Sequence, residues 1–475
     1  MSKKTGLMVL FSLGVAGLTS ALAAGKPAWP QFRGPDGSGV ADDQKPPVHF
    51  GPGSNELWHV PVPPGASSPC IWENAVFLTA FNDGKLETIC LDRKSGSVNW
   101  RQTAPAEQIE KFHATEGSPA SGTPATDGKV VVSYFGSCGL VCYDFSGKEQ
   151  WRLLLPTVQQ AGDFGSGASP VIAGQLVLAN RDQLSGSELI AVELKSGKVA
   201  WRANRSDLFS SFSTPVVWKQ SAGDEVVLPG FLELRAYALK DGTERWRVKG
   251  LPVAVCTTPV VGNGLLYFAG WSPGKGDMPM PGWEVVAERN DKDKDGVITF
   301  EEATESMKSF FASYDANRDQ RVTREEWDAF KAILARGENC AIAVKPGGKG
   351  DVTGTHVAWK QTRGLPYVPS PLFYRGNIYI IKDGGMISRF DAKTGEPVYQ
   401  QERIGALGNY YSSPVAADGR IYLTSLDGIM TVLEAGGKPT VLARAEFKER
   451  IAATPALVEN KIYVRSANHL WAFGK

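Results

Sequence analysis

Eight Ser-Pro or Thr-Pro pairs, each opening a short apolar run, constrain the fold of this chain more than any other feature. They are Ser68-Pro69, Thr123-Pro124, Ser169-Pro170, Thr214-Pro215, Thr258-Pro259, Ser370-Pro371, Ser413-Pro414 and Thr454-Pro455. Successive prolines stand 55, 46, 45, 44, 112, 43 and 41 residues apart, so one unit recurs with a single large interruption. A second marker travels with the first: a glycine four residues before an aromatic, in Gly96/Trp100, Gly147/Trp151, Gly197/Trp201, Gly242/Trp246 and Gly395/Tyr399. One copy keeps the spacing as Gly437/Val441, and another reads Gly354/Trp359 with one extra residue. Between proline and glycine lie β-rich stretches such as residues 264–268, 377–381 and 420–424, bounded by Gly, Asp or Asn turns.

Four short antiparallel strands per unit follow from this pattern. Such a unit cannot bury both faces alone, and radial stacking into a β-propeller covers the faces while protecting the edges. Proline suits the start of an innermost strand, where the missing N–H faces the central channel. The glycine permits the turn into the outermost strand, and the aromatic fills the gap to the next blade. After Pro455 only three strand-like segments remain, at 454–458, 461–466 and 469–473; the fourth is expected from residues 55–60 around Trp58. The fold class is therefore all-β, an eight-bladed propeller closed by N- and C-terminal strands in one blade.

Residues 1–23 read as a signal peptide: Lys3 and Lys4, an apolar stretch over 7–18, then Ala21-Leu22-Ala23. That stretch is too short to cross a membrane, so an exported protein is expected, periplasmic or extracellular and without a membrane span. A net charge of +1 supplies no positive field for nucleic acid or an anionic membrane surface. Of the six cysteines, Cys90 and Cys142 fall in the third-strand slot filled by Ala191 and Ala236 in later copies, and read as small buried hydrophobes. Cys70, Cys138, Cys256 and Cys340 remain open as disulfide partners.

The interruption, residues 271–338, divides the propeller into 24–270 and 339–475 and carries a different chemistry. Asp291, Asp293, Asp295, the Val297 carbonyl, Thr299 and Glu302 stand at the six ligand positions of an EF-hand loop, with Gly296 at its sharp turn. A second loop places Asp315, Asn317, Asp319, the Arg321 carbonyl and Glu326 likewise, but Gln320 replaces the glycine, which weakens the site. The first positions of the loops are 24 residues apart, so residues 301–314 are expected to form one shared helix, with Met307, Phe310, Phe311 and Tyr314 on its core face. A small α-helical EF-hand insertion in blade five, with structural calcium, is the reading. It leaves after the second strand and returns into the third, so it should overhang the face bearing the long loops 102–122 and 153–168. That face is the default binding surface.

The stretch Ala191-x-Glu193-x-x-Ser196-Gly197-x-x-x-Trp201, with its relatives at 92–100, 236–246 and 391–399, is similar to the tryptophan-docking motif of the pyrroloquinoline-quinone-type, or quinoprotein-type, β-propellers. The opening Trp29-Pro-Gln-Phe-Arg-Gly-Pro35 resembles that of exported bacterial members of this group. The resemblance covers nearly the whole mature chain and implies either of two functions. The group includes quinone-dependent alcohol and sugar dehydrogenases, and also non-enzymatic scaffolds such as the lipoprotein of the outer-membrane β-barrel assembly machinery. A dehydrogenase needs a quinone in the channel, a calcium ion beside its carbonyl and a carboxylate base. Large alcohol-oxidising relatives clamp the quinone with adjacent cysteines, a pair this chain lacks. Calcium is thus the expected cofactor, and pyrroloquinoline quinone belongs to the alternative reading. The favoured function is a calcium-binding scaffold of the cell envelope, with a protein, peptide or glycan ligand on the loop-rich face. Polar candidates on that face are His113, Asp163, Asp182, Arg205, Lys382, Asp383 and His469, of which Arg205, Lys382 and Asp383 are expected at the channel mouth.

Overall fold

The repeat hydroxyls close a ring. In the computed structural model, which describes residues 27–113, 115–273 and 280–475, each Ser or Thr of the eight Ser/Thr-Pro pairs accepts the backbone N–H of its counterpart in the preceding blade. The last link, Thr454 N–H to Ser68 Oγ at 3.0 Å, joins the eighth blade to the first. The signal-peptide expectation for residues 1–23 lies outside the described residues.

Eight antiparallel blades surround this belt, each built on four strands. The eighth is shared by the chain ends: strand Glu56–Pro61 pairs with His469–Phe473, aligning Trp58 with Ala472 and Val60 with Leu470. Neighbouring blades are locked by tryptophan. The indole N–H groups of Trp58, Trp100, Trp151, Trp201 and Trp359 donate to the carbonyls of Arg93, Phe145, Leu194, Leu239 and Ala392 in the next blade, at 2.8–3.2 Å. Each ring lies against that blade's glycine, where a Cβ would come within 2.5–2.8 Å of the indole. The glycine thus provides a positive φ and also room for the neighbour's ring.

Trp246 departs from this scheme and corrects one expectation. Gly348 covers its ring, and its N–H goes to Glu225 Oε2 at 2.9 Å. Gly354 sits instead in the short helix Thr353–His356 with nothing close to it. The extra residues before it add a parallel strand, Gly350–Asp351, to the edge of blade four.

Two additions cover the two mouths of the channel. On the lower face, where first strands turn into second strands, the N-terminal segment runs across the opening. Ala28 and Trp29 pair with Trp72 and Ile71 in blade one. Further along, Arg33 Nη2 donates to the Pro371 carbonyl at 2.6 Å, Ala41 N–H bonds the Ala416 carbonyl, and Gln44 and Lys45 bond Asn460. On the upper face a helical insertion interrupts blade five between strands Leu265–Gly270 and Cys340–Val344. Its helices are α1 (Trp283–Asn290), α2 (Glu305–Lys308), α3 (Phe311–Tyr314) and α4 (Arg324–Leu334), around a core that includes Trp283, Ile298, Met307, Phe311, Val322 and Trp327. No described helix is long and apolar enough to cross a membrane.

The expected single helix over 301–314 is broken at Ser309-Phe310. Met307 and Phe311 enter the core of the insertion, whereas Phe310 and Tyr314 line the central channel. Packing across the mouth of the propeller has overridden the helical period. All six cysteines are free, and Cys90 and Cys142 are buried.

Candidate functional site

Above the N-terminal segment the channel widens into a cavity of about 560 Å³. All eight belt hydroxyls line it, and Phe32 reaches it from below. Phe164, Phe212, Tyr367 and Tyr411 form its collar, and Met280, Phe310, Tyr314 and Phe330 of the insertion roof it. Phe32 also borders a smaller cavity of about 260 Å³ toward the lower face, beside blades three and four. Among the described residues, charge on the upper wall is confined to Glu116 and Arg450, the latter with its guanidinium 5.8 Å from the Tyr411 ring centre. Arg33, next to Phe32, is fully buried; with no carboxylate beside it, burial lowers its pKa to about 9, and it stays protonated at neutral pH.

The roof is fastened by apolar contact. Ile333 and Leu334 of α4 pack on Leu208, Phe231 and Leu232 of the propeller, and Phe330 meets Phe209 edge to face at 6.1 Å. Ser309 accepts the Gly162 N–H from the loop between blades two and three. The insertion therefore sits over the long-loop face, bridging several blades.

Arg205 does not reach the channel mouth, contrary to expectation. It is wholly buried, bound through two nitrogens to Asp182 at 2.7 Å each and to the Tyr237 hydroxyl at 2.8 Å. Ser211 donates to the same Asp182 carboxylate, completing a satisfied ion pair within blade three that the Tyr237 hydroxyl ties to blade four. Lys382 and Asp383 lie instead in a cleft of about 740 Å³ between the base of the insertion and blades five and six, where Trp271 meets Tyr367 edge on. Burial raises the pKa of Asp383, against the Tyr410 N–H that binds its Oδ1. The remaining polar candidates have local partners: His469 with Glu449, His113 with Thr115, Asp163 with Lys111.

Within the insertion the two loops pair through Ile298–Thr299 and Arg321–Val322. In the first loop, carboxylate oxygens of Asp291, Asp293 and Glu302 lie within 4.8 Å of one another, and the buried Asp291 Oδ1 has no hydrogen-bond partner. Gly296 holds a φ of 85° there, and Asp295 is tied to Arg321 at 3.4 Å. In the second loop Gln320 takes a φ of 64°, and Glu326 closes a capping box with Thr323 at the start of α4.

The belt hydroxyls belong to the eight repeated dipeptides, but that they converge on one cavity shows only once the ring is closed. A second group, Glu110, had no sequence signal beyond its residue type. Glu110, in the loop before blade two, is 2% exposed; its Oε2 accepts the Ser166 hydroxyl at 2.7 Å, and burial pushes its pKa up to about 7 against the Ser166 hydrogen bond and nearby Arg181.

The profile of the outer membrane protein assembly factor BamB family matches residues 49–217, 87–270 and 312–473, together more than half of the chain. No curated protein matches. Among solved structures, BamB from Moraxella catarrhalis superposes with a TM-score of 0.53 at 14% identity, covering 88% of this chain and 97% of that one. A europium-containing methanol dehydrogenase gives 0.59 at 10% identity, with 94% and 98% covered. The quinohemoprotein alcohol dehydrogenase from Comamonas testosteroni gives 0.56 at 11% identity, with 94% and 81% covered. At these identities the structural likeness establishes a shared fold.

Proposed function

This chain belongs to the outer membrane protein assembly factor BamB family of PQQ-like β-propellers, and from that premise we propose that it is a calcium-binding, non-catalytic scaffold of the cell envelope. The channel wall carries this reading: hydroxyls and aromatic rings, with Glu116 as its one carboxylate among the described residues. Such a wall holds a ligand without supplying the cluster of acids that a metal-assisted quinone oxidation requires. The family description points to an envelope setting and to protein partners, for which the upper face and its loops are the docking surface.

Calcium fits the first loop of the insertion. Asp291, Asp293 and Glu302 supply hard oxygen ligands in one place, the unpartnered Asp291 Oδ1 is a ready donor, and Asp295, the Val297 carbonyl and Thr299 fill the remaining positions. The second loop, with Asp315, Asn317, Asp319, the Arg321 carbonyl and Glu326, is the weaker site because of Gln320. Bound calcium would hold α1 and α2 in fixed relation, and the pairing of the loops would pass that rigidity to α4 and the roof.

Native mass spectrometry of the purified full chain, with and without chelator, tests this directly. At least one calcium ion and no retained quinone are expected. Stoichiometric pyrroloquinoline quinone with dye-linked oxidation of an alcohol or sugar would overturn the scaffold in favour of a dehydrogenase.

A further inference from the structure

The belt uses only its acceptor side to close the ring. Each oxygen takes one backbone N–H, and none of the eight hydroxyl protons has an acceptor among the described residues. All eight side chains line the channel cavity, so eight O–H donors converge on one axis. Beneath them the buried Arg33 guanidinium bonds the carbonyl of Pro371, one residue beyond the belt's Ser370, and no carboxylate pairs with it. Above them Arg450 lies over Tyr411 and likewise has no acidic partner among the described residues. Among the described residues the wall carries one carboxylate, Glu116, and one guanidinium, Arg450. Between belt and roof the surface is aromatic, with Phe164 and Phe212 on the wall and Phe310 and Phe330 on the insertion.

Eight O–H donors at one end, with the Arg33 guanidinium buried close beneath them, and apolar rings at the other complement an anionic head joined to an apolar tail. We propose that the channel binds a medium- or long-chain carboxylate along its axis, the head at the hydroxyl belt and the tail between the aromatic collar and the insertion. The carboxylate loses hydration on entry, and several O–H donors replace it. This assignment rests on the scaffold reading and names the ligand of its channel.

Calorimetric titration of the purified full chain with sodium dodecanoate, dodecanol and dodecyltrimethylammonium, each below its micelle concentration, tests it. Dodecanoate should bind saturably at one per chain, dodecanol about tenfold more weakly, and the cation not at all. Ser413→Ala or Thr258→Val should weaken dodecanoate about tenfold, the loss of one hydrogen bond to a charged group. Because belt substitutions also remove a link of the ring, Phe212→Trp provides a second arm: it crowds the channel above the belt, leaves the belt bonds intact and should abolish binding. Equal binding of the cation, dodecanoate binding unchanged in Phe212→Trp, or no dodecanoate binding at roughly millimolar concentration would each overturn the assignment. None of these outcomes touches the scaffold reading, which falls only to turnover with quinone.

Discussion

Glu110 shows what burial does to a single acid when its neighbours only partly compensate. Its folded pKa of about 7 lies above the ordinary value of 4.5, so the stability it contributes is complete at acid pH and is lost as pH rises through about 7. Glu110→Gln should therefore flatten the fall in melting temperature between about pH 5 and 8, as followed by circular dichroism. Arg205 is the opposite case, a buried charge fully answered. Arg205→Leu leaves the Asp182 carboxylate buried without its partner and should cost about 3–5 kcal/mol in denaturant unfolding, much of it recovered by adding Asp182→Leu. Arg205 looked like a channel residue because it stands in the sequence near an expected entrance or exit of an inner strand. Its partners Asp182 and Tyr237 stand 23 and 32 residues away, the first elsewhere in blade three and the second on a strand of blade four, and only the packed blades join them.

At the scale of elements, the glycine and the aromatic recur four residues apart within a unit, which is why both were legible in the sequence, while the contact of each tryptophan with the next blade's glycine shows only in the fold. Gly197→Ala would set a Cβ 2.5 Å from the Trp151 ring at a φ of 68°, and should destabilise by about 2–3 kcal/mol. The same pattern misled at Gly354, because the extra residues before it changed which glycine meets the ring. The shared helix of the insertion was also misjudged: its apolar period was real, but it serves two masters, Met307 and Phe311 facing inward and Phe310 facing the channel. Asymmetry between the two loops should be measurable. Glu302→Gln is expected to remove the tightest calcium seen by native mass spectrometry, whereas Glu326→Ala should leave that ion bound and lower stability through the lost half of the capping box by about 1 kcal/mol.

The whole molecule is a ring with one end of its channel crossed by the N-terminal segment and the other roofed by the insertion. The number of blades was legible because each needs one inner strand and each inner strand begins with the same dipeptide. The crossing by residues 27–46 was not, since its hydrogen bonds go to blades far apart in the chain and carry no local period. Removing residues 27–61 would take away the outer strand of blade eight and uncover the edge of His469–Phe473. Association beyond the monomer is expected, read by size-exclusion chromatography.

The pairing of Glu56–Pro61 with His469–Phe473 also sets a clock. Strand Glu56–Pro61 comes early in the chain and stays unmatched until His469–Phe473 is present to receive it. The joint that completes the circle joins segments far apart in sequence, and until it forms the stack of blades stands open at one side.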